Sequence, residues 1–204
     1  MADVVGICNS ALVKIGANRI TSVFPPQAGS KAANLCAERY EDLRDDLLRA
    51  NLWRFAKARQ KLAKLSESPV YEWDNAFRLP SDLIRIAVVH DNDAGAGEVR
   101  HQVEGETIVT NATDIWLTYG KLVEDPNQMP VDFRESLASI IARELAIPIR
   151  NSRTLRNEMD TVARRKLARA RATGAMEDYP KRRRLSGWVR SRFRGTGRSR
   201  DGCW

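Results

Sequence analysis

The chain has few of the residues that build most catalytic and metal sites. Its 204 residues include only two histidines and three cysteines. The cysteines, Cys8, Cys36 and Cys203, are odd in number and follow no zinc-binding or disulfide spacing. We therefore predict no disulfide framework, no metal and no other cofactor, and we expect the chain to fold in a reducing cytoplasm.

Long apolar runs are also missing. About 20 consecutive apolar residues are needed to span a bilayer, and no stretch approaches that length in a chain whose mean hydropathy is −0.45. Asp3 stands where a signal peptide would carry positive charge. We expect neither a membrane span nor a secretory signal.

The common motifs of nucleotide-binding and hydrolytic enzymes are absent. The sequence has no Walker-type glycine loop, no G-x-G-x-x-G after a predicted strand and no G-x-S-x-G. His90 and His101 fall on predicted strands, alternating with apolar neighbours, which is typical of ordinary residues on a sheet face. No catalytic residue is nominated, and we predict that the chain is not an enzyme.

One cluster of acids resembles the carboxylate pair of a glycosidase, which needs only two acids about 5 to 10 Å apart. The acids lie on a predicted helix and alternate with arginines at i, i+3 and i+4 spacing, which favours a solvated, ion-paired face. The acids are Glu41, Asp42, Asp45 and Asp46, and the arginines are Arg39, Arg44 and Arg49.

Charge is distributed very unevenly. The 34 Lys and Arg exceed the 26 Asp and Glu, so the net charge is +8. Residues 181–204 contain Lys181 and eight arginines against the single acid Asp201, and residues 1–180 are neutral. The chain is therefore a neutral body with a basic C-terminal arm.

Hydrophobic periodicity predicts helices at the start of the body. Apolar residues from Val4 to Ile15 recur at helical spacing, with Cys8 in the core and Gly16 as the stop. Ser30 can cap a second helix of about 35 residues. Such a length indicates either a bend between Arg49 and Trp53 or a structural strut.

The middle of the chain alternates with the period of β-strands. We predict strands at 84–90, 99–103, 107–110 and 114–119, with a turn at Gly105. The last strand places Ile115, Leu117 and Tyr119 on one face and Trp116 on the other. Residues 83–122 therefore form a small antiparallel sheet.

Helical spacing returns after the sheet. One helix is predicted from Pro130 to Ile147, ended by Pro148, and another over 153–172, ended by Gly174. The predicted fold is α+β and mainly α, a helical bundle with a long helix and an inserted sheet. Its parts are N-terminal helices (1–82), the sheet (83–122), C-terminal helices (123–175) and an extended basic arm (176–204).

Two aromatic stretches of the body are suited either to core packing or to a subunit contact. Trp53 and Phe55 are predicted on the long helix, while Tyr71 and Trp73 precede Phe77. Large aromatics bury much area, so core packing is favoured. A subunit contact remains the alternative.

The arm contains more than charge. In an extended chain Trp188 and three arginines would lie on one side, with Val189 and Phe193 on the other. A tail that only stays solvated needs no aromatics, whereas arginines between aromatics suit bidentate contacts with apolar anchoring. The arm is predicted to bind nucleic acid or an acidic groove on another protein, on which it orders. The candidate partner-binding residues are Trp188, Val189, Arg190, Arg192, Phe193 and Arg194.

An ordered series of short motifs resembles the tail tubular protein A family, the head-to-tail adaptors of short-tailed bacteriophages. The motifs are residues 8–16 (CNSALVKIG), 20–22 (ITS), 30–33 (SKAA) running to Tyr40 and Arg44, 47–50 (LLRA), 53–56 (WRFA), 79–82 (LPSD), 103–105 (VEG) with 110–111 (TN), and 144–146 (ELA). Residues 186–194 also resemble the C-terminal arm of such adaptors. The resemblance covers most of residues 1–175.

The resemblance implies a structural virion protein of the phage neck, assembled in the host cytoplasm. It implies a homo-oligomeric ring, usually of twelve copies, that joins the portal protein to the tail nozzle protein around the DNA channel. DNA would pass without sequence-specific binding, and the arm would dock on the portal. Some adaptors of this type have been credited with cell-wall or polysaccharide hydrolysis, which stays a second alternative beside nucleic-acid binding.

Overall fold

A computed structural model describes residues 3–92 and 98–176. Within these ranges the chain forms four α-helices, six strands and two short 3-10 turns. The helices are α1 (Val4–Lys14), α2 (Lys31–Ala50), α3 (Val131–Arg150) and α4 (Arg153–Met176). The strands are β1 (Lys57–Lys61), β2 (Asn75–Arg78), β3 (Leu83–His90), β4 (His101–Glu104), β5 (Thr107–Thr110) and β6 (Trp116–Lys121). The predicted α+β class, mainly α, is confirmed.

The first two helices begin at side-chain caps. Asp3 accepts a hydrogen bond from the backbone N–H of Gly6 at 2.7 Å, and Ser30 accepts one from Ala33 at 3.2 Å. Each cap satisfies a backbone donor that has no partner inside the helix. Gly16 follows α1 with φ +68°, a conformation that glycine adopts at little cost. The start of α2 at Ser30 and the stop at Gly16 are as predicted.

The prediction of a helix of about 35 residues is wrong. Helix α2 ends at Ala50, where Asn51 is extended (φ −146°, ψ 148°), inside the interval in which a bend was one alternative. The indole N–H of Trp53 turns back and donates to the carbonyl of Leu47 at 2.8 Å, satisfying one of the last carbonyls of the helix. With 20 residues, α2 spans about 30 Å and is no long strut.

The β region consists of two three-stranded antiparallel sheets, with strand orders β1-β6-β3 and β2-β5-β4. The single sheet predicted at 83–122 is therefore corrected, because β1 and β2 precede that range. The polar strand β1 has no apolar alternation, and it is defined by pairing with distant β6. The other four strands lie close to their predicted positions, and Gly105 makes the predicted turn with φ +57°.

Helix α3 occupies the centre of the helical bundle and packs against α1, α2 and α4. Its inward residues are almost completely buried, among them Phe133, Leu137, Ile141 and Leu145. They share one apolar core with the buried faces of α1 and α2. A second core, between the sheets, contains Leu62, Phe77, Val89, Ile108, Ile115, Leu117 and Tyr119.

Both predicted stops of the C-terminal helices are wrong. Pro148 lies inside α3, which ends at Arg150. The next residue, Asn151, adopts the left-handed conformation, and its N–H donates to the carbonyl of Ile147 at 2.8 Å. A proline so near the end removes a single helical hydrogen bond. Helix α4 passes through Gly174 and ends at Met176. Within 3–92 and 98–176, no helix is long and apolar enough to cross a membrane.

Replacing a fully buried residue of α3 should destabilise the whole bundle. Leu137 is 0 % exposed, so Leu137→Ala is expected to lower the free energy of unfolding by about 2 to 5 kcal/mol. Val13 on α1 is 52 % exposed, and Val13→Ala should change it by less than about 0.5 kcal/mol. Urea denaturation followed by circular dichroism measures both, and equal effects would contradict the central position of α3.

Candidate functional site

The predicted partner-binding residues of the arm lie outside the residues that the structure describes. These are Trp188, Val189, Arg190, Arg192, Phe193 and Arg194. The described residues contain two other features able to do chemistry or bind a partner. One is an open apolar pocket at the end of α4, and the other is a cluster of charged side chains shared by three helices.

An aromatic cluster forms the floor of the pocket. The ring of Phe133 lies edge-on to Trp53 and Phe55, with centroids 5.0 and 4.9 Å away. Trp53 is buried, as core packing predicts, although it follows α2 instead of lying on it. Edge-to-face pairs of this kind add to the stabilisation from burial.

The pocket opens between this cluster and the last two turns of α4. Its volume is about 400 Å³. The lining residues are Trp53, Arg54, Phe55, Pro130, Val131, Asp132, Phe133, Ala170, Thr173 and Gly174. Val131 at its rim is 62 % exposed. Apolar walls with two charged residues at the edge are typical of a site that takes an apolar side chain.

The helix beside the pocket is strongly basic. The second half of α4, residues 161–176, contains five bases and no acid. Arg169 and Arg171 flank the pocket residue Ala170 and are exposed. The acid Asp132 offsets part of this positive charge, since Asp132 and Arg169 line one small cavity together with Glu135 and Lys166. The surroundings of the pocket therefore carry net positive charge.

Next to the pocket, Glu135 of α3 holds together three helices. Its carboxylate accepts from Lys166 of α4 at 2.6 Å, lies 3.2 Å from the Lys14 ammonium of α1, and accepts from the Ser10 hydroxyl at 3.1 Å. Lys14 also donates to the Ser10 oxygen. Two lysines hold the pKa of Glu135 down at about 2, while burial lowers the pKa of Lys14.

The Ser10 and Lys14 pair has the residue types of a serine and lysine hydrolase site, but its hydrogen bonds favour a structural role. Ser10 donates to Glu135, and a carboxylate with a pKa of about 2 is a poor acceptor of a proton at neutral pH. The Lys14 ammonium is paired with that carboxylate and is not poised as a free base. The cluster therefore acts as a clamp between helices.

The acids of α2 are not gathered into a site. Glu41, Asp42 and Asp46 are exposed, as predicted for a solvated face. The ion pairs that these arginines form differ from the prediction, because they do not join residues on successive turns of α2. Arg44 is buried and binds its neighbour Asp45 at 2.7 Å, and Arg39 reaches Glu144 of α3 at 3.8 Å. No group of three metal-ligating side chains occurs in the described parts of the chain.

The structure also tests the predictions for Cys8, for the two histidines and for the second aromatic stretch. Cys8 is fully buried beside the free thiol of Cys36, as expected for a core residue, and its pKa is raised because its thiol donates a hydrogen bond to Cys36 and is buried. His90 and His101 lie on strands, as predicted. Trp73 and Phe77 are buried, but Tyr71 is 80 % exposed and does not belong to a core.

No protein-family model matches the chain, and no curated protein matches it. The resemblance to the phage adaptors therefore depends on the sequence motifs alone. The pocket and the clamp were missed by sequence reasoning, because their residues come from distant segments. The only local signal was the i, i+4 spacing of Ser10 and Lys14.

The clamp predicts a stability component that depends on pH. The folded state lowers the pKa of Glu135 to about 2, so its contribution is present above the unfolded pKa of about 4.3 and is lost as pH falls towards 2. Glu135→Gln should cost about 1 kcal/mol at pH 7, a modest value because the carboxylate is 42 % exposed and screened.

The control is Glu158→Gln, an exposed residue of α4. Urea denaturation at several pH values between 2 and 7 measures the difference between each variant and the wild type. The difference for Glu135→Gln should shrink below pH 4.3, and that for Glu158→Gln should stay near zero. A difference for Glu135→Gln that does not depend on pH would contradict the clamp.

Proposed function

We propose that the chain is a head-to-tail adaptor of a short-tailed phage. Copies form a ring in the neck of the virion between the portal protein and the tail nozzle protein. The arm docks on the portal, with Trp188, Val189 and Phe193 as apolar anchors and Arg190, Arg192 and Arg194 pairing with acids. DNA passes through the channel without sequence-specific contacts.

The observation that carries this proposal is the composition of the arm. All of the net charge of +8 lies in residues 181–204, where Trp188 and Phe193 are interleaved with arginines. A purely electrostatic tail needs no tryptophan or phenylalanine, whereas a docking segment uses aromatics as anchors and arginines for paired contacts. The motif series in residues 8–146 supports the same role.

The body suits such a role in two further respects. It is neutral, so that identical copies can pack side by side without strong repulsion. Its last described helix, α4, ends at Met176, next to the pocket that Gly174 lines, so the arm leaves the body at that place. Helix α2 does not supply the long strut that was expected, because it ends at Ala50.

Nucleic-acid binding by the arm is the alternative that the charge favours. Two variants of the full chain separate the hypotheses, one with Trp188→Ser and Phe193→Ser, and one with Arg190, Arg192 and Arg194 changed to Gln. Docking on the portal requires both sets, so each variant should weaken binding by about tenfold or more. DNA binding depends mainly on charge, with a salt slope of about 0.9 per phosphate neutralised.

Binding to the purified portal protein encoded by the same genome, and to duplex DNA, can be measured by sedimentation at several salt concentrations. The matched control changes Arg182, Arg183 and Arg184 to Gln, which removes the same charge outside the alternating stretch. Portal binding that survives deletion of residues 181–204 would contradict the proposal. Equal loss in the control and in the Arg190, Arg192 and Arg194 variant would favour a nonspecific charge effect.

A further inference from the structure

Two neighbouring apolar side chains are highly exposed on the surface of the β region. Val70 is 97 % exposed and Tyr71 is 80 % exposed, and both lie in the loop at residues 66–74 between β1 and β2. Single exposed apolar residues are common, but an adjacent aliphatic and aromatic pair at this degree of exposure is typical of an anchor for a partner.

The base of this loop is firmly held. Trp73 is buried, the Arg100 guanidinium lies 5.2 Å from the centre of its ring, and Arg100 pairs with Glu72 at 3.6 Å. Glu72 adopts φ +69°, unusual for a residue with a side chain, and the N–H of Trp73 donates to the carbonyl of Tyr71 at 2.8 Å. The loop therefore presents Val70 and Tyr71 on a defined backbone, which reduces the entropy lost on docking.

The pocket at the end of α4 is a complementary acceptor. Its volume of about 400 Å³ and its floor of Trp53, Phe55 and Phe133 suit one aromatic and one aliphatic side chain. Val131 extends the apolar surface at the rim.

The charges of loop and pocket are opposite. Residues 66–74 contain Glu67, Glu72 and Asp74 and no base. Arg100 already pairs with Glu72, which leaves two acids to face a partner. The pocket lining includes Asp132, and the exposed bases Arg169 and Arg171 flank the lining residue Ala170 on α4. Such complementarity favours the loop over the basic arm as occupant.

We propose that Val70 and Tyr71 of one copy insert into the pocket of a second copy. Loop and pocket are different surfaces of the same chain, so the contact is heterologous, and its repetition can close a ring. This inference depends on the proposed function, because it supplies the lateral contact that a ring of identical adaptors needs.

Cross-linking between two variants of the full chain tests the contact. One carries Ser68→Cys, an exposed loop position that leaves Val70 and Tyr71 in place, and the other Thr173→Cys, at an exposed pocket position. Both also carry Cys203→Ser, and they are mixed and treated with a short bismaleimide. The native Cys8 and Cys36 are buried. The expected product is a dimer that contains one copy of each variant, formed by the protein alone at raised concentration or together with the portal protein.

Three results would overturn the inference. The first is the absence of that product in both samples. The second is an equal yield from a control in which Arg19→Cys, at another exposed position, replaces Ser68→Cys. The third is a cross-link within one chain that carries both Trp188→Cys and Thr173→Cys, formed in place of the mixed dimer. That result would make the arm the occupant of the pocket.

A second measurement separates this contact from the proposed function. Val70→Ser with Tyr71→Ser should raise the concentration needed for association between copies by about tenfold or more. Binding of a single copy to the portal through the arm should stay unchanged. Unchanged portal binding in the arm variants, together with an intact mixed dimer, would instead contradict the proposed function and leave the contact standing.

Discussion

The burial of α3 is the constraint on which the rest of the structure depends. Leu137, Ile141 and Leu145 are at most 1 % exposed, and the helix contacts each of the other three helices. The first turns of α3 also supply Phe133 to the pocket and Glu135 to the clamp. Because one helix builds the core, the clamp and the pocket, none of them can shift without the others.

The elements that local patterns predicted well are those with one buried face or a side-chain cap. Helix α1 has both, since Asp3 caps its start and Cys8 and Leu12 lie on its buried face. Along β6, Leu117 and Tyr119 continue the alternation that begins at Ile115, and all three are buried in a core. Residues 51–65 were predicted wrongly because their apolar spacing continues that of α2. There the tertiary contacts decide, since Trp53 turns back onto α2 and the polar β1 pairs with β6.

The same distinction applies to the candidate functional surfaces, since a surface within one segment could be predicted and a surface built from several segments could not. The arm was visible in the sequence because its charge and its aromatics lie within 24 consecutive residues. The pocket could not be predicted, since it joins the segment after α2, the start of α3 and the end of α4. Ser10 and Glu135 are 125 residues apart, and only folding brings them together. Tyr71 was assigned to a core because an aromatic near Trp73 and Phe77 has no local sign of exposure.

The proposed ring of identical subunits, between the portal and the tail nozzle, would require two kinds of contact with different chemistry. Contacts between copies must be matched within one sequence, and the acidic loop and the basic end of α4 lie on one neutral body. A contact with a second protein would need a separate segment, and residues 181–204 carry the whole excess charge. If the arm occupied the pocket, it would bring nine bases towards Arg169 and Arg171. Like charges would oppose that arrangement, so electrostatics as well as position would keep the two proposed contacts separate.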